Sequence, residues 1–238
     1  GMVTIQSTAA SCTLSAAPAS INNGSSSTLT WTTSNSPTSC TASGGWSGAK
    51  NVAGGSENVS PINTTVYTLT CTNVAGSGVC SATVTVNHAP NVPILVSPAA
   101  GAIINYNPTF SATVTDTDGG NVTAHFNLTG VTADTAGSTV VSGNNSVWAP
   151  TIADGTYTWR AYAMDPQGMT SAWTSLITFT KDTVSPNALI SYTSGTQAST
   201  TINVTLTESD DRTGINAVTG GRVQIRIDSG AWTDYATR

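Results

Sequence analysis

The sequence predicts an all-β chain of tandem sandwiches, and three observations carry that reading. Charged residues make up 8% of the chain, against roughly 25% in ordinary globular proteins. Ser, Thr, Asn, Ala and Gly take their place; few Lys or Glu leave little helix propensity, while Thr and Val favour strands. Short segments of alternating apolar and polar residues recur between turn signals, and no stretch carries a helical period. Two proline-bearing stretches, "NHAPNVP" at 87–93 and "KDTVSPN" at 181–187, follow alternating strands and read as linkers. For 238 residues, at about 100–200 per domain, they divide the chain into units 1–88, 89–184 and 185–238.

In the first unit, "STLTW" sets Leu29 and Trp31 on one strand face, and "VYTLTC" does the same for Tyr67, Leu69 and Cys71. "CSATVTV" adds Cys80, Ala82, Val84 and Val86, and Cys12 shares its parity with Leu14, so all can enter one core. The four cysteines, Cys12, Cys40, Cys71 and Cys80, lack the paired C-x-x-C spacing of a zinc site. An even number confined to one Ser/Thr-rich unit predicts two disulfides and an oxidising compartment. A first strand lying beside the last, as is common in sandwiches, would pair Cys12 with Cys80 and leave Cys40 with Cys71. Three connectivities remain open at this point. Each bridge would contribute roughly 3–4 kcal/mol. Through "STLTW", "SCTASGGWSG" and "TTVYTLTC", residues 10–86 resemble bacterial immunoglobulin-like domains. The unit departs from the antibody pattern, because its Trp precedes the cysteine pair and the cysteines fall on different strands.

The second unit is read from "DGTYTWRAYAMD", residues 154–165. Alternation places Tyr157, Trp159, Ala161 and Ala163 inward, with Thr158, Arg160 and Tyr162 on the other face. Phe110, Ala112, Val114, Val122, Ala124, Phe126 and Leu128 upstream, and Ile177 and Phe179 downstream, supply the rest of the core. Asp-Gly leading into a strand whose first inward residue is Tyr suits a tyrosine corner, in which the hydroxyl ties back to nearby backbone. "DGTYTWRAYAMDPQGMTSAW" is similar to fibronectin type III-like modules of secreted bacterial proteins, and the resemblance covers residues 93–182. In the third unit Ile202, Val204 and Leu206 alternate, as do Val223, Ile225 and Ile227. About 50 residues are half of a usual sandwich, so the chain is expected to continue beyond Arg238.

A formal net charge of −5 with no basic stripe argues against a nucleic-acid partner. No run of about 20 apolar residues predicts a membrane span, and "GMVTIQS" lacks the charged start and apolar stretch of a signal peptide. His88 sits in a linker and His125 has outward strand parity, so both are expected to face solvent; no G-x-S-x-G accompanies them. Lys50 and Lys181 are the only lysines, and no motif marks either for an isopeptide crosslink. N-x-S/T sequons at Asn58, Asn121, Asn127 and Asn203 matter only if the source glycosylates them.

The acidic residues are the strongest functional signal, since eleven of the twelve lie after the first unit. Asp116, Asp118 and Asp165 fall in loops that an immunoglobulin-like topology brings to the end nearer the preceding domain. With linker oxygens from Asn87 or Asn91 they could hold Ca²⁺, which wants six to eight oxygens. Asp182 could face Glu208, Asp210 and Asp211 at the next junction in the same way. "DTDGGN" fails the EF-hand pattern, having Gly120 and Asn127 where ligands would fall, and Asp-Gly is ordinary turn chemistry.

The expectation is therefore a non-enzymatic structural or adhesive stalk of a larger bacterial extracellular or cell-surface protein. It would be a monomeric rod able to meet a cell-surface protein or polysaccharide, with calcium the one cofactor in view, at the junctions. The alternative is an accessory carbohydrate-binding region of a secreted polysaccharide-degrading enzyme, stacking sugars on exposed Trp46, Trp148, Trp173 or Trp232.

Overall fold

Apolar parity decides which strand faces turn together. The structure, a computed structural model, describes residues 7–185 and the backbone of 187–192, 204–209, 223–225 and 233–236. The first sandwich has eight strands: β1 (Ser11–Ala17), β2 (Ser20–Asn22), β3 (Ser27–Ser34), β4 (Ser39–Gly44), β5 (Gly48–Lys50), β6 (Gly55–Val59), β7 (Thr65–Asn73) and β8 (Gly76–Asn87). They form a three-stranded sheet, β1-β3-β6, facing a five-stranded sheet, β2-β8-β7-β4-β5. Leu29, Trp31, Tyr67, Leu69, Cys71, Val84 and Val86 are buried between the sheets, while Cys12, Leu14 and Cys80 pack half-buried against them. The two indoles find acceptors as buried indoles must: Trp31 Nε1 donates to the Asn51 carbonyl at 3.0 Å and Trp46 Nε1 to that of Thr68 at 2.9 Å.

Two disulfides staple this small core. Cys40 and Cys71 are direct cross-strand neighbours on β4 and β7. Cys12–Cys80 joins β1 of one sheet to β8 of the other. That approach needs a glycine, since a Cβ on Gly78 would lie 2.3 Å from the Ala10 carbonyl oxygen.

The second sandwich holds β9 (Ile94–Ser97), β10 (Ile103–Ile104), β11 (Phe110–Thr113), β12 (Asn121–Leu128), β13 (Thr132–Val141), β14 (Asn145–Trp148), β15 (Gly155–Met164) and β16 (Ile177–Lys181). Its sheets are β9-β11-β14 and β10-β16-β15-β12-β13. Counted from each unit's first strand, this is the topology of the first sandwich, down to the parallel pairing of the second strand with the eighth. An aromatic cluster holds this cysteine-free core. Phe110 has ring-centroid distances of 5.1 Å to Trp159, 5.1 Å to Trp148 and 5.7 Å to Phe179. The tyrosine corner is present, with Tyr157 OH donating to the Ala153 carbonyl at 2.9 Å.

In the third unit β17 (Asn187–Tyr192) pairs antiparallel with β18 (Val204–Ser209), and β19 (Val223–Ile225) with β20 (Thr233–Ala236). Ile202 and Ile227 lie outside the described residues. Among the described residues no helix is long and apolar enough to cross a membrane.

Candidate functional site

The chemistry-bearing side chains gather where one sandwich meets the next. Strand β8 runs to Asn87, whose side chain is carried into the second sandwich: Nδ2 donates to Asp165 Oδ2 at 2.7 Å, with Asn87 and Asp165 both buried. The other Asp165 oxygen accepts the Met169 N–H at 2.8 Å, closing the turn after β15. The next residue, His88, makes a second attachment. Its backbone N–H and ring Nδ1 both donate to the Asp118 carboxylate, the ring at 3.0 Å, and Nε2 donates to the Ile62 carbonyl at 2.9 Å. Asp116 Oδ1 accepts the Asp118 N–H at 2.8 Å and so fixes the receiving loop. Farther along the linker, Asn91 bonds Thr115 through backbone N–H and side chain.

The electrostatics follow from these partners. The Asp118 hydrogen bond, then the Ile62 carbonyl, raise the His88 pKa above the ordinary imidazole value. Burial alone would raise the Asp118 pKa, but the hydrogen bonds from His88 outweigh it and hold the carboxyl below its usual range.

The loops bearing Asp116, Asp118 and Asp165 thus stand at the end facing the preceding sandwich. Each of these carboxylates receives a protein donor, and Asn91 is engaged with Thr115. Among the described residues no three His, Cys, Asp or Glu converge in a metal-ligating group. The histidine expectation is corrected, because neither ring stands free in solvent. His88 bridges the junction, and half-buried His125 stacks on Tyr162 at 4.8 Å and pairs with Asp134 at 2.9 Å.

The second junction is organised by Asp154, the Asp of the Asp-Gly pair that leads into β15. Its Oδ2 accepts the Thr183 N–H at 2.8 Å and the Thr183 hydroxyl at 2.7 Å, and Lys181 Nζ lies 3.3 Å from Oδ1. The Thr183 bonds hold the Asp154 carboxyl below the usual carboxylate range. Lys181, itself buried, also donates to the Ile152 carbonyl at 2.8 Å. Neighbouring Asp182 is buried as well; Oδ1 accepts the Val184 N–H at 3.0 Å, and Oδ2 has no hydrogen-bond partner among the described residues. Asp210, Asp211 and the Glu208 side chain lie outside the described residues.

Of the four indoles expected to stack on sugars, Trp46, Trp148 and Trp173 lie among the described residues. Trp46 is 7% exposed, edge-on to Trp31 and Tyr67, with Lys50 over its ring. Trp148 packs on Phe110 and Phe126, and Trp232 lies outside the described residues. Trp173 meets Tyr162 edge-on at 4.5 Å and has Arg160 over its ring, in a row that runs through His125 to Asp134. The Tyr162 and His125 rings stand face to face, so each of these two rings has one face covered by the other. A depression of about 620 Å³ on the first sandwich is lined by Trp46, Glu57, Ile62, Asn63 and Tyr67 among others. Its only charged side chain, Glu57, is paired with Lys50.

No protein-family model and no curated protein matches the chain. Among solved structures, an I-band fragment of titin is 11% identical and covers 94% of this chain and 86% of its own, with a TM-score of 0.50. The chain is a tandem of immunoglobulin- and fibronectin III-like sandwiches. Other solved structures resemble parts of this tandem. A bacterial ice-binding adhesin is 17% identical, covering 79% of this chain and 70% of that one, with a TM-score of 0.42. Fibronectin(III)-like modules of CbhA from Clostridium thermocellum are 14% identical, covering 68% and 87%, with a TM-score of 0.34. Such likenesses describe a fold; what this tandem does must be argued from its own junctions.

Proposed function

We propose that this tandem is a non-enzymatic spacer in an extracellular or cell-surface protein, transmitting position and tension between whatever lies at its two ends. The observation that carries the reading is the two-point attachment at the first junction, Asn87 to Asp165 and His88 to Asp118. A tether needs only a short polar linker. Here the linker side chains are hydrogen-bonded into the following sandwich, which opposes the relative motion expected by default between domains. The two disulfides support an oxidising compartment. Both histidines are engaged in packing pairs rather than poised beside a nucleophile. Small-angle X-ray scattering on the whole chain tests the reading. A profile that changes little with salt is expected, with a wider spread of dimensions in the Asn87→Ala/Asp118→Ala variant. Identical profiles for the two proteins would contradict it.

Calcium at the second junction is a second reading, favoured by the buried Asp182 Oδ2, which has no hydrogen-bond partner among the described residues. An ion there would fix the third unit against the second. Calorimetry in calcium and in EDTA tests it: the last unit's midpoint is expected to rise with calcium and Asp182→Asn to remove the rise. An unchanged midpoint overturns it.

A further inference from the structure

The two disulfides are nested in sequence and differ in what they can do under tension. Cys12–Cys80 spans 68 residues and encloses Cys40–Cys71, which spans 31. Cys12 lies on the first strand of the sandwich and Cys80 on the last, the strand that continues into the Asn87 and His88 attachments. We propose that Cys12–Cys80 is a covalent force clamp, and that its reduction by a dithiol switches the first sandwich from inextensible to extensible. The proposal rests on the spacer reading for its use, although the clamp itself is measurable without it.

The load path follows from connectivity. Tension entering on the N-terminal side of Cys12 crosses the sulfur–sulfur bond to Cys80 and leaves along residues 81–87 of β8. Everything between the two cysteines, including the whole of β2 to β7, hangs off that path as a closed loop. Stretched out, the loop would be roughly 220–250 Å of chain, at 3.3–3.6 Å per residue. None of it can be drawn out while the bond holds, however the hydrogen-bonded sheets respond. Cys40–Cys71 lies inside the loop and bears no tension until the outer bond opens. The approach to the clamp is built closely: Asn73 Nδ2 donates to the Thr8 carbonyl at 2.9 Å and Asn35 Nδ2 to that of Ala9 at 2.8 Å. Gly78 leaves room for the Ala10 carbonyl beside β8.

Exposure separates the two bonds chemically. Cys40 and Cys71 are 2% and 0% exposed, whereas Cys12 and Cys80 are half-buried at the sandwich edge. Exchange requires a thiolate to reach a sulfur, so the outer bond is the one a reductant meets first. One thiolate of the dithiol attacks a clamp sulfur and forms a mixed disulfide, releasing the other cysteine as a thiolate that takes up a proton. The second thiol of the reagent then displaces the remaining cysteine. The reagent leaves as its cyclic disulfide, having supplied two electrons, and the protein holds two thiols.

Single-molecule stretching of the full chain, held by its ends, tests the clamp. The cysteine-free second sandwich extends in either redox state and serves as an internal control. Oxidised protein is expected to show no long increment from the first sandwich. Mild dithiol is expected to add one, shorter by roughly 100–110 Å than after full reduction, because Cys40–Cys71 still holds its 31 residues. Cys40→Ala/Cys71→Ala should leave the oxidised trace unextended. Alkylation and peptide mapping after mild reduction give an independent measurement needing no variant: label is expected at Cys12 and Cys80 before Cys40 and Cys71. A long first-sandwich increment in oxidised protein, or earlier labelling of Cys40 and Cys71, would overturn the proposal. Loose coupling of the two sandwiches at zero force would instead contradict the spacer reading and leave the clamp standing.

Discussion

His88 meets Asp118 across the boundary between two sandwiches, and it does so twice, through its backbone N–H and through ring Nδ1. With Nε2 on the Ile62 carbonyl, both ring nitrogens face acceptors, an arrangement fully satisfied only by the doubly protonated ring. Residues from both sandwiches therefore hold one charged side chain.

That geometry fixes a pH dependence. The folded pKa of His88 is raised, so its contribution is full below the ordinary histidine value of about 6.5 and is lost as pH rises through the folded value. The folded pKa of Asp118 is lowered, so its contribution is full above about 3.9 and is lost as pH falls through the folded value. The junction should be tightest between about pH 4 and 6.5 and loosen above it. Chemical shifts of linker amides followed by NMR against pH should report this, and Asp118→Asn should flatten the profile.

Asp165→Ala should lower stability by about 2–3 kcal/mol, since it strands the buried Asn87 amide and the Met169 N–H together. Asp165→Asn keeps one acceptor oxygen and should cost less. Denaturant melts of both variants check the order; equal losses would mean that burial rather than the hydrogen bonds matters there.

Tyr157→Phe should cost about 1 kcal/mol by removing the hydroxyl bond to Ala153 while leaving the ring on Phe179. The loss should fall on the second sandwich alone, visible in a scan that resolves separate transitions.

Removing the inner bridge with Cys40→Ala/Cys71→Ala should destabilise the first sandwich by about 3–4 kcal/mol, the loop-entropy value for its 31 residues. Calorimetry should show only that transition moving.

Much of this was legible in the sequence where period-2 alternation carries it. Tyr157, Trp159, Ala161 and Ala163 face the core side because a strand leaves no other choice, and the Asp116 and Asp165 loops share an end because a sandwich returns alternate loops to it. The shared topology of the two sandwiches was hidden, because β2 and β10 have three and two residues, too short to show any pattern. The burial of Trp46 is hidden in the sequence because the residue follows a glycine pair, Gly44 and Gly45, outside any alternating run. A Cβ on Gly45 would lie 2.2 Å from Thr65 Cγ2, so the bare backbone lets the indole fold under the sheet. The roles of His88 and Asp154 depend on partners 30 and 29 residues away that only the folded chain brings near.

The most direct test of rigid coupling is ¹⁵N relaxation across the first two sandwiches near pH 6. A single rotational correlation time shared by amides of both sandwiches is predicted, separating into two in Asn87→Ala/Asp118→Ala. Two distinct correlation times in the unaltered protein would contradict the spacer function.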